Sequence, residues 1–350
     1  MLSFVRSLLT GRKEGSRAER KALAAPEEVW VDLAPPFPFR KGCVLHHGFP
    51  IPDWDAVREW IEKLPDDRKA DAWTACERAW LLHFRDALGK GFSFQESKSA
   101  MLVSSLEPHL RDATLEYIER TLRRVIAVLG GLSQVASWGK DLLIVFDDEE
   151  RYYEYASYYY PERGDFALSG GMHIHKGCSH FITVKSDLRS IEPVIAHEMT
   201  HGCVAHLPLP LWLNEGLAVN TERRLAPPGA PLYTPEQLHA KHLRFWRKAE
   251  IQQFWSGRSF DRQDEGNMLS YDLARIIVEQ LAKDWPRFEA FALAVSHADG
   301  GDAGARAHFG VDLGEIARAL LEQPEARGWA PNPSSWEVSP PDAPRSASTG

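Results

Sequence analysis

Residues 194–222 read VIAHEMTHGCVAHLPLPLWLNEGLAVNTE, and the reading of the whole chain turns on the five residues HEMTH, His197 to His201. Two histidines four positions apart leave the same face of an α-helix, close enough for two imidazole nitrogens to share one tetrahedral metal ion. The flanking residues predict that helix. Ser190 stands where a cap belongs, Glu192 suits the first turn and Pro193 is tolerated that early; Val194, Ile195, Met199 and Cys203 supply apolar contact, and Pro208 ends the helix. Two prolines then turn the chain into a second helical stretch. There Glu215 sits among Trp212, Leu213, Leu217, Ala218 and Val219, a setting in which an unpaired carboxylate would be costly. Glu215 therefore offers the third ligand of a two-histidine, one-carboxylate zinc set, with the fourth position left for water. Such donors suit zinc better than magnesium or calcium, which want oxygen, so one zinc per chain is expected. Glu198, beside the first ligand, is placed to take that water's proton and hand it to a leaving amine. His206 follows closely, but the three-histidine pattern needs a glycine and a histidine where Val204 and Leu207 stand. His206 is expected as a helix-end cation or a cleft residue.

Outward from this segment, composition sets the bounds. The 350 residues, 44% apolar with 12 tryptophans, suffice for a sizeable core in one large or two ordinary domains. A formal charge of -8, from 41 basic against 49 acidic residues, and the lack of a long basic run argue against a nucleic-acid partner. Cys43, Cys76, Cys178 and Cys203 form no close pair of the kind a thiolate zinc site or redox motif needs, and are expected as buried free thiols. The opening MLSFVRSLLT begins apolar, but Arg6 interrupts the run short of a signal-peptide core, and no later stretch approaches a membrane span. A cytoplasmic location is expected, with residues 1–10 a frayed arm rather than an amphipathic anchor.

Along the chain, residues 1–28 read as a disordered basic arm and 331–350 as a disordered Pro/Ser-rich tail. Between 29 and 95 lies a Trp-rich helical subdomain. PDWDAVREWIEKLP puts Trp54, Val57, Trp60 and Ile61 on one stripe, and Trp73, Trp80, Leu81 and Phe84 repeat the device before Gly89. AMLVSS, DLLIVF (141–146) and HFITVK (180–185) read as strands, and a periodic run from Leu115 to Leu129 as a helix stopped by Gly130 and Gly131. Six of the nine tyrosines fall in 148–160 and are expected to pack.

The HEMTH-to-NEG segment resembles the gluzincin metallopeptidases, the thermolysin-like clan whose zinc ligands are the two histidines of HExxH and a downstream glutamate. LWLNEGLA is similar to the LWLNEG(F/L)A signature of the M1 aminopeptidases and of their compact peptidase-MA-like relatives. The 13 residues between His201 and Glu215 fall short of the M1 gap, which suits the compact relatives and a trimmed loop. The likeness extends over residues 100–325. SGGMHIH (169–175) stands where M1 enzymes carry G-x-M-E-N on a substrate-binding edge strand, so the resemblance implies substrate contact at Gly170, Gly171, Met172 and His173. LSYDLARIIVEQL resembles the helix bearing their oxyanion-binding tyrosine, here Tyr271. Asn214 resembles the residue that steadies a ligand histidine there, and Glu222, two turns after Glu215, is placed for similar work. AHFGVDLGEIARAL resembles the closing helices of the group. In the family, the glutamate of G-x-M-E-N pairs with the substrate's free α-amine. His173 stands in its place and offers no compensating charge, so a strict aminopeptidase is not expected. His173, His175 and His180 form a third group, with 173 and 175 on one strand face. They are expected to line the cleft, since no carboxylate lies near enough in sequence to complete a second metal site and Cys178 is expected as a buried thiol.

The sequence thus predicts an α+β protein. A thermolysin-like domain over 96–330 would hold a small mixed sheet with an edge strand near 168–175, the HEMTH helix beneath the cleft and a helical carboxy-terminal lobe. The expected activity is zinc-dependent hydrolysis of a peptide or protein substrate. The alternatives are a catalytically silent, zinc-stabilised binding module and a zinc hydrolase of a non-peptide amide. Glu198 and Tyr271 weigh against the first, since a scaffold needs ligands but no proton shuttle.

Overall fold

Along the central strands successive side chains point to opposite sides, and both sides are apolar. Ala100, Leu102, Leu143, Val145 and Phe181 feed one core; Met101, Val103, Leu142, Ile144, Phe146, Ile182 and Val184 feed another. A sheet with two apolar faces must be covered on both. That requirement sets the layering of the protein in its computed structural model, which describes residues 23–31, 34–135, 138–160, 171–226, 232–325 and 327–336. The expected amino-terminal arm and carboxy-terminal tail lie for the most part outside these residues.

The chain opens with a hairpin, β1 (Cys43–His46) and β2 (Phe49–Pro52), then α1 (Trp54–Glu62), α2 (Asp66–Leu88), β3 (Ser93–Glu96) and β4 (Ala100–Ser104). Next come α3 (Pro108–Leu129), β5 (Asp141–Phe146), α4 (Glu149–Tyr159), β6 (Gly171–Ile174) and β7 (His180–Val184). The remainder is helical: α5 (Ile191–Val204), α6 (Leu211–Leu225), α7 (Pro235–Phe245), α8 (Lys248–Trp255), α9 (Glu265–Leu281), α10 (Trp285–Ala294), α11 (Asp302–Phe309) and α12 (Leu313–Leu320). The five-stranded sheet has the order β3-β4-β5-β7-β6, with β4, β5 and β7 parallel and both outer strands antiparallel to their neighbours. The hairpin, α1, α2 and α4 cover one face; α3, α5, α6 and α9 cover the other. The α+β class expected from the sequence is the class observed. No helix among the described residues is long and apolar enough to cross a membrane.

The Trp-rich stretch packs directly on the sheet, with Trp54, Trp80 and Phe84 in the same core as Phe146 and Ile182. Tyr152, Tyr155 and Tyr159 are buried in that layer, and His180 belongs to it too: its Nδ1 donates to the Cys178 carbonyl (2.7 Å) and Tyr155 donates to its Nε2 (2.8 Å). All four cysteines are free thiols, three of them buried and Cys43 half-buried.

Two carboxyl groups stand near this layer, Glu77 buried and Asp141 half-buried at the start of β5. Glu77 on α2, 2% exposed, accepts from Trp73 Nε1 (2.7 Å) and from the Lys140 amide (3.0 Å). Burial, working against those donors, pushes Glu77 up to about 8, and burial pushes Asp141 up to about 7. A carboxyl group whose pKa rises on folding stabilises the fold fully below its unfolded value, about 4, and loses that contribution as pH climbs through the folded value. The melting temperature is therefore expected to fall between roughly pH 5 and pH 8. At about 1.4 kcal/mol per pKa unit, Glu77 accounts for a few kcal/mol of that fall. Thermal melts of Glu77→Gln should show a flatter profile, and an unchanged slope would refute the assignment.

Candidate metal centre

The site is built where two helices cross one edge of the sheet. The chain enters α5 through a turn of 3₁₀ helix, Lys185–Asp187. Ser190 consequently does not cap the helix as its sequence position suggests. It is already helical (φ -73°, ψ -20°), its amide is spent on the Asp187 carbonyl (2.7 Å), and its side chain makes no capping bond. The helix buries Ile191, Ile195, Met199 and Cys203 against the core and turns His197, Glu198 and His201 toward the cleft. Ala205–Pro210 returns the chain, and His206, exposed on this loop, takes no part in the cluster.

Two hydrogen bonds fix how α6 lies on α5. His201 Nδ1 meets Asn214 Oδ1 at 2.9 Å, and His197 Nδ1 meets Glu222 Oε2 at 3.0 Å. The earlier histidine pairs with the later α6 residue, so the helices run antiparallel. Both partners are acceptors, which places the protons on the two Nδ1 atoms and leaves both Nε2 lone pairs facing inward. They face Glu215 Oε2, at 3.3 and 3.5 Å. That oxygen is buried and accepts no well-formed hydrogen bond. Three electron-pair donors therefore point at one another in a half-buried space, an arrangement that is costly unless a cation lies among them. The donor set, two imidazoles and one carboxylate, is that of tetrahedral zinc. Protonation responds to the same need in the metal-free protein. Burial disfavours the His197 cation, but Glu215 and Glu222 outweigh it and lift His197 to about 9; burial opposes the Glu215 anion, but His197 and His201 hold it at about 2.

Gly216 sets the next wall. A Cβ there would lie 2.6 Å from the Ala274 carbonyl oxygen and 2.6 Å from a Val278 methyl, so only glycine lets α6 rest on α9. That contact brings Tyr271 of α9 to the site, where it lines a cavity of about 380 Å³ together with His175, Glu198, Glu215 and the two histidines of α5. Burial, with the Glu215 and Glu198 charges, holds its hydroxyl well above the usual range, so it is a hydrogen-bond donor at neutral pH.

The opposite wall is β6, the outer strand of the sheet. Gly171 lets it approach α5, since a Cβ would run into the Ile191 side chain. Met172 turns to the other layer, His173 and His175 face α5, and Gly170 lies outside the described residues. His173 Nδ1 stands 3.1 Å and His175 Nε2 3.4 Å from Glu198 Oε2. Burial opposes ionisation of Glu198, but these two imidazoles hold its carboxyl far below the usual range. Beyond Glu198 a cavity of about 700 Å³ runs past Phe181 and Met199 to Trp73, Glu77 and Asp141.

All three expected ligands thus meet, with Glu198, Asn214, Glu222, Tyr271 and His173 around them. His180 does not join His173 and His175, because its neighbour-parity puts it on the other face of the sheet. The carboxylate reckoned too distant in sequence to complete the His173–His175 pair is Glu198 itself, brought in by the packing of β6 on α5. The alternation of HIH was the signal for the pair; nothing in the sequence signalled its partner or the depth of the cavity behind it. Comparison of the chain with protein-family models and with curated proteins returns no match.

Proposed function

We propose that the protein is a zinc-dependent hydrolase of peptide bonds, with a thermolysin-like (gluzincin) arrangement of its site. The observation that carries the reading is the convergence of His197 Nε2, His201 Nε2 and Glu215 Oε2, a buried oxygen without a well-formed hydrogen bond, with Glu198 on the adjoining position of the same helix. His197, His201 and Glu215 would hold the metal, which when bound supplies a Lewis acid and a water acidic enough to ionise near neutral pH. Asn214 and Glu222 keep the two imidazoles in the tautomer and orientation that binding needs.

Glu198, held ionised, accepts the proton of the attacking water and passes it to the departing amine. Tyr271 donates its hydroxyl to the oxyanion of the tetrahedral intermediate. The β6 edge lies across the cleft from α9 and offers backbone groups to an extended substrate. At His173, where an aminopeptidase would need a free carboxylate for the substrate's α-ammonium, an imidazole is engaged with Glu198 instead. The substrate is accordingly bound through its chain and side chains rather than by its amino terminus.

The test is cleavage of a diverse peptide library, with each peptide offered both free and amino-acetylated. Chelator-sensitive cleavage that proceeds at comparable rates on the two forms is expected. Failure to cleave any member, or cleavage indifferent to chelation, would sink the hydrolase reading; a strong preference for free amines would sink only its endopeptidase character.

A further inference from the structure

The geometry points to a second, weaker site for a zinc-class divalent cation, formed by His173 Nδ1, His175 Nε2 and Glu198 Oε2, whose occupation takes Glu198 out of proton transfer. The inhibitory half of this inference rests on Glu198 being the base of the proposed hydrolysis; the binding half does not.

The three donor atoms lie within 4.8 Å of one another, and both nitrogens approach the same carboxylate oxygen, at 3.1 and 3.4 Å. This repeats the pattern around Glu215, where two imidazole nitrogens approach one oxygen at 3.3 and 3.5 Å. The two rings stand 4.2 Å apart at 76°, as the two-residue period of a strand dictates. The framework is fixed. His173 is paired in register with Phe181 on β7 and stacks on its ring (centroids 4.4 Å apart, 26°), and the bare Gly171 seats the strand against α5. Two imidazoles and a carboxylate match zinc and its neighbours in the first transition row rather than magnesium or calcium. The His175 side chain is 61% exposed, so the open side of the cluster meets solvent, and water can fill the remaining coordination positions.

The two clusters differ in how their imidazoles are held. Around Glu215 each ligand histidine is anchored through its far nitrogen, by Glu222 or Asn214. Among the described residues no partner holds His173 Nε2 or His175 Nδ1. Loss of such anchoring typically weakens metal binding by about 10- to 100-fold, so the sites should fill in order. A carboxylate oxygen whose lone pair is committed to a cation does not accept a proton. Zinc beyond the first equivalent should therefore switch hydrolysis off.

The test is a Zn²⁺ titration of the full chain at buffered free zinc, with bound metal and peptide cleavage followed in parallel. Wild type is expected to bind two equivalents, the second at about 10- to 100-fold higher free zinc, with the cleavage rate falling as the second fills. His175→Ala, at an exposed position, should bind one equivalent and keep its own rate over that range. Glu215→Ala should keep the weaker equivalent alone. A single equivalent in wild type that persists in His175→Ala overturns the second site and leaves the first standing. A second equivalent, or inhibition, that survives in His175→Ala overturns the assignment to this cluster. No bound zinc in any of the three proteins overturns both sites.

Discussion

Glu198→Gln is expected to lose peptide hydrolysis by roughly 10²- to 10⁴-fold while keeping its fold and its zinc at the His197–His201–Glu215 site. The amide is close to isosteric with the carboxylate, and its oxygen still accepts from the His173 ring, now 3.1 Å from Glu198 Oε2. What it lacks is basicity. Glu198 is held ionised by the two imidazoles although burial opposes it, so over the neutral range the parent protein has a proton acceptor in place and the variant has none. Single-turnover cleavage, zinc content and thermal melting on the same preparation separate this from a folding defect. A variant that retains more than a tenth of the parent rate would show that the proton goes elsewhere.

His197→Ala and His201→Ala should each empty the metal site. Three protein ligands are the usual complement of a catalytic zinc, and removing one imidazole also strands the group behind it: Glu222 loses the His197 Nδ1 donor, or Asn214 that of His201. The readouts are zinc content after dialysis at a free zinc level that half-fills the parent, and the rise in melting temperature on adding zinc. For the parent that rise corresponds to about 2.7 kcal/mol when zinc stands at a hundred times its dissociation constant, and neither variant should show it. Parent-level zinc in either one would overturn the ligand assignment.

Most of the candidate cluster was legible in the sequence because it depends on local periodicity. Four residues of helix suffice to align His197 with His201, and an apolar neighbourhood around Glu215 is visible from its sequence neighbours. The strands at 141–146 and 180–184 were legible from local sequence too, being short and largely apolar. What the sequence left open depends on long-range packing. The pairing of His173 and His175 with Glu198 spans more than twenty positions and exists because β6 lies at the sheet edge, next to β7, against α5. Likewise, Ser190 reads as a cap only when the 3₁₀ turn before it is unknown. The hairpin at 43–52 was missed because its strands are short and carry two prolines, which weaken a strand pattern. Glu77 reads as one more helix-surface acid until the Lys140 amide and Trp73 are seen to enclose it.

The contact at Gly216 has a consequence for how the enclosure around Tyr271 changes size. Because the α6 backbone rests directly on the α9 backbone, with no side chain between them to yield, the two helices share one frame. Glu215 and Tyr271 ride on that frame, and Asn214 and Glu222 tie the histidines of α5 to it. Three walls therefore shift together or not at all. Among the described residues the fourth, β6, is paired along one side only, to β7. The width of the enclosure is thus set at the β6 wall, as the separation between the imidazoles of His173 and His175 and the carboxylate of Glu198.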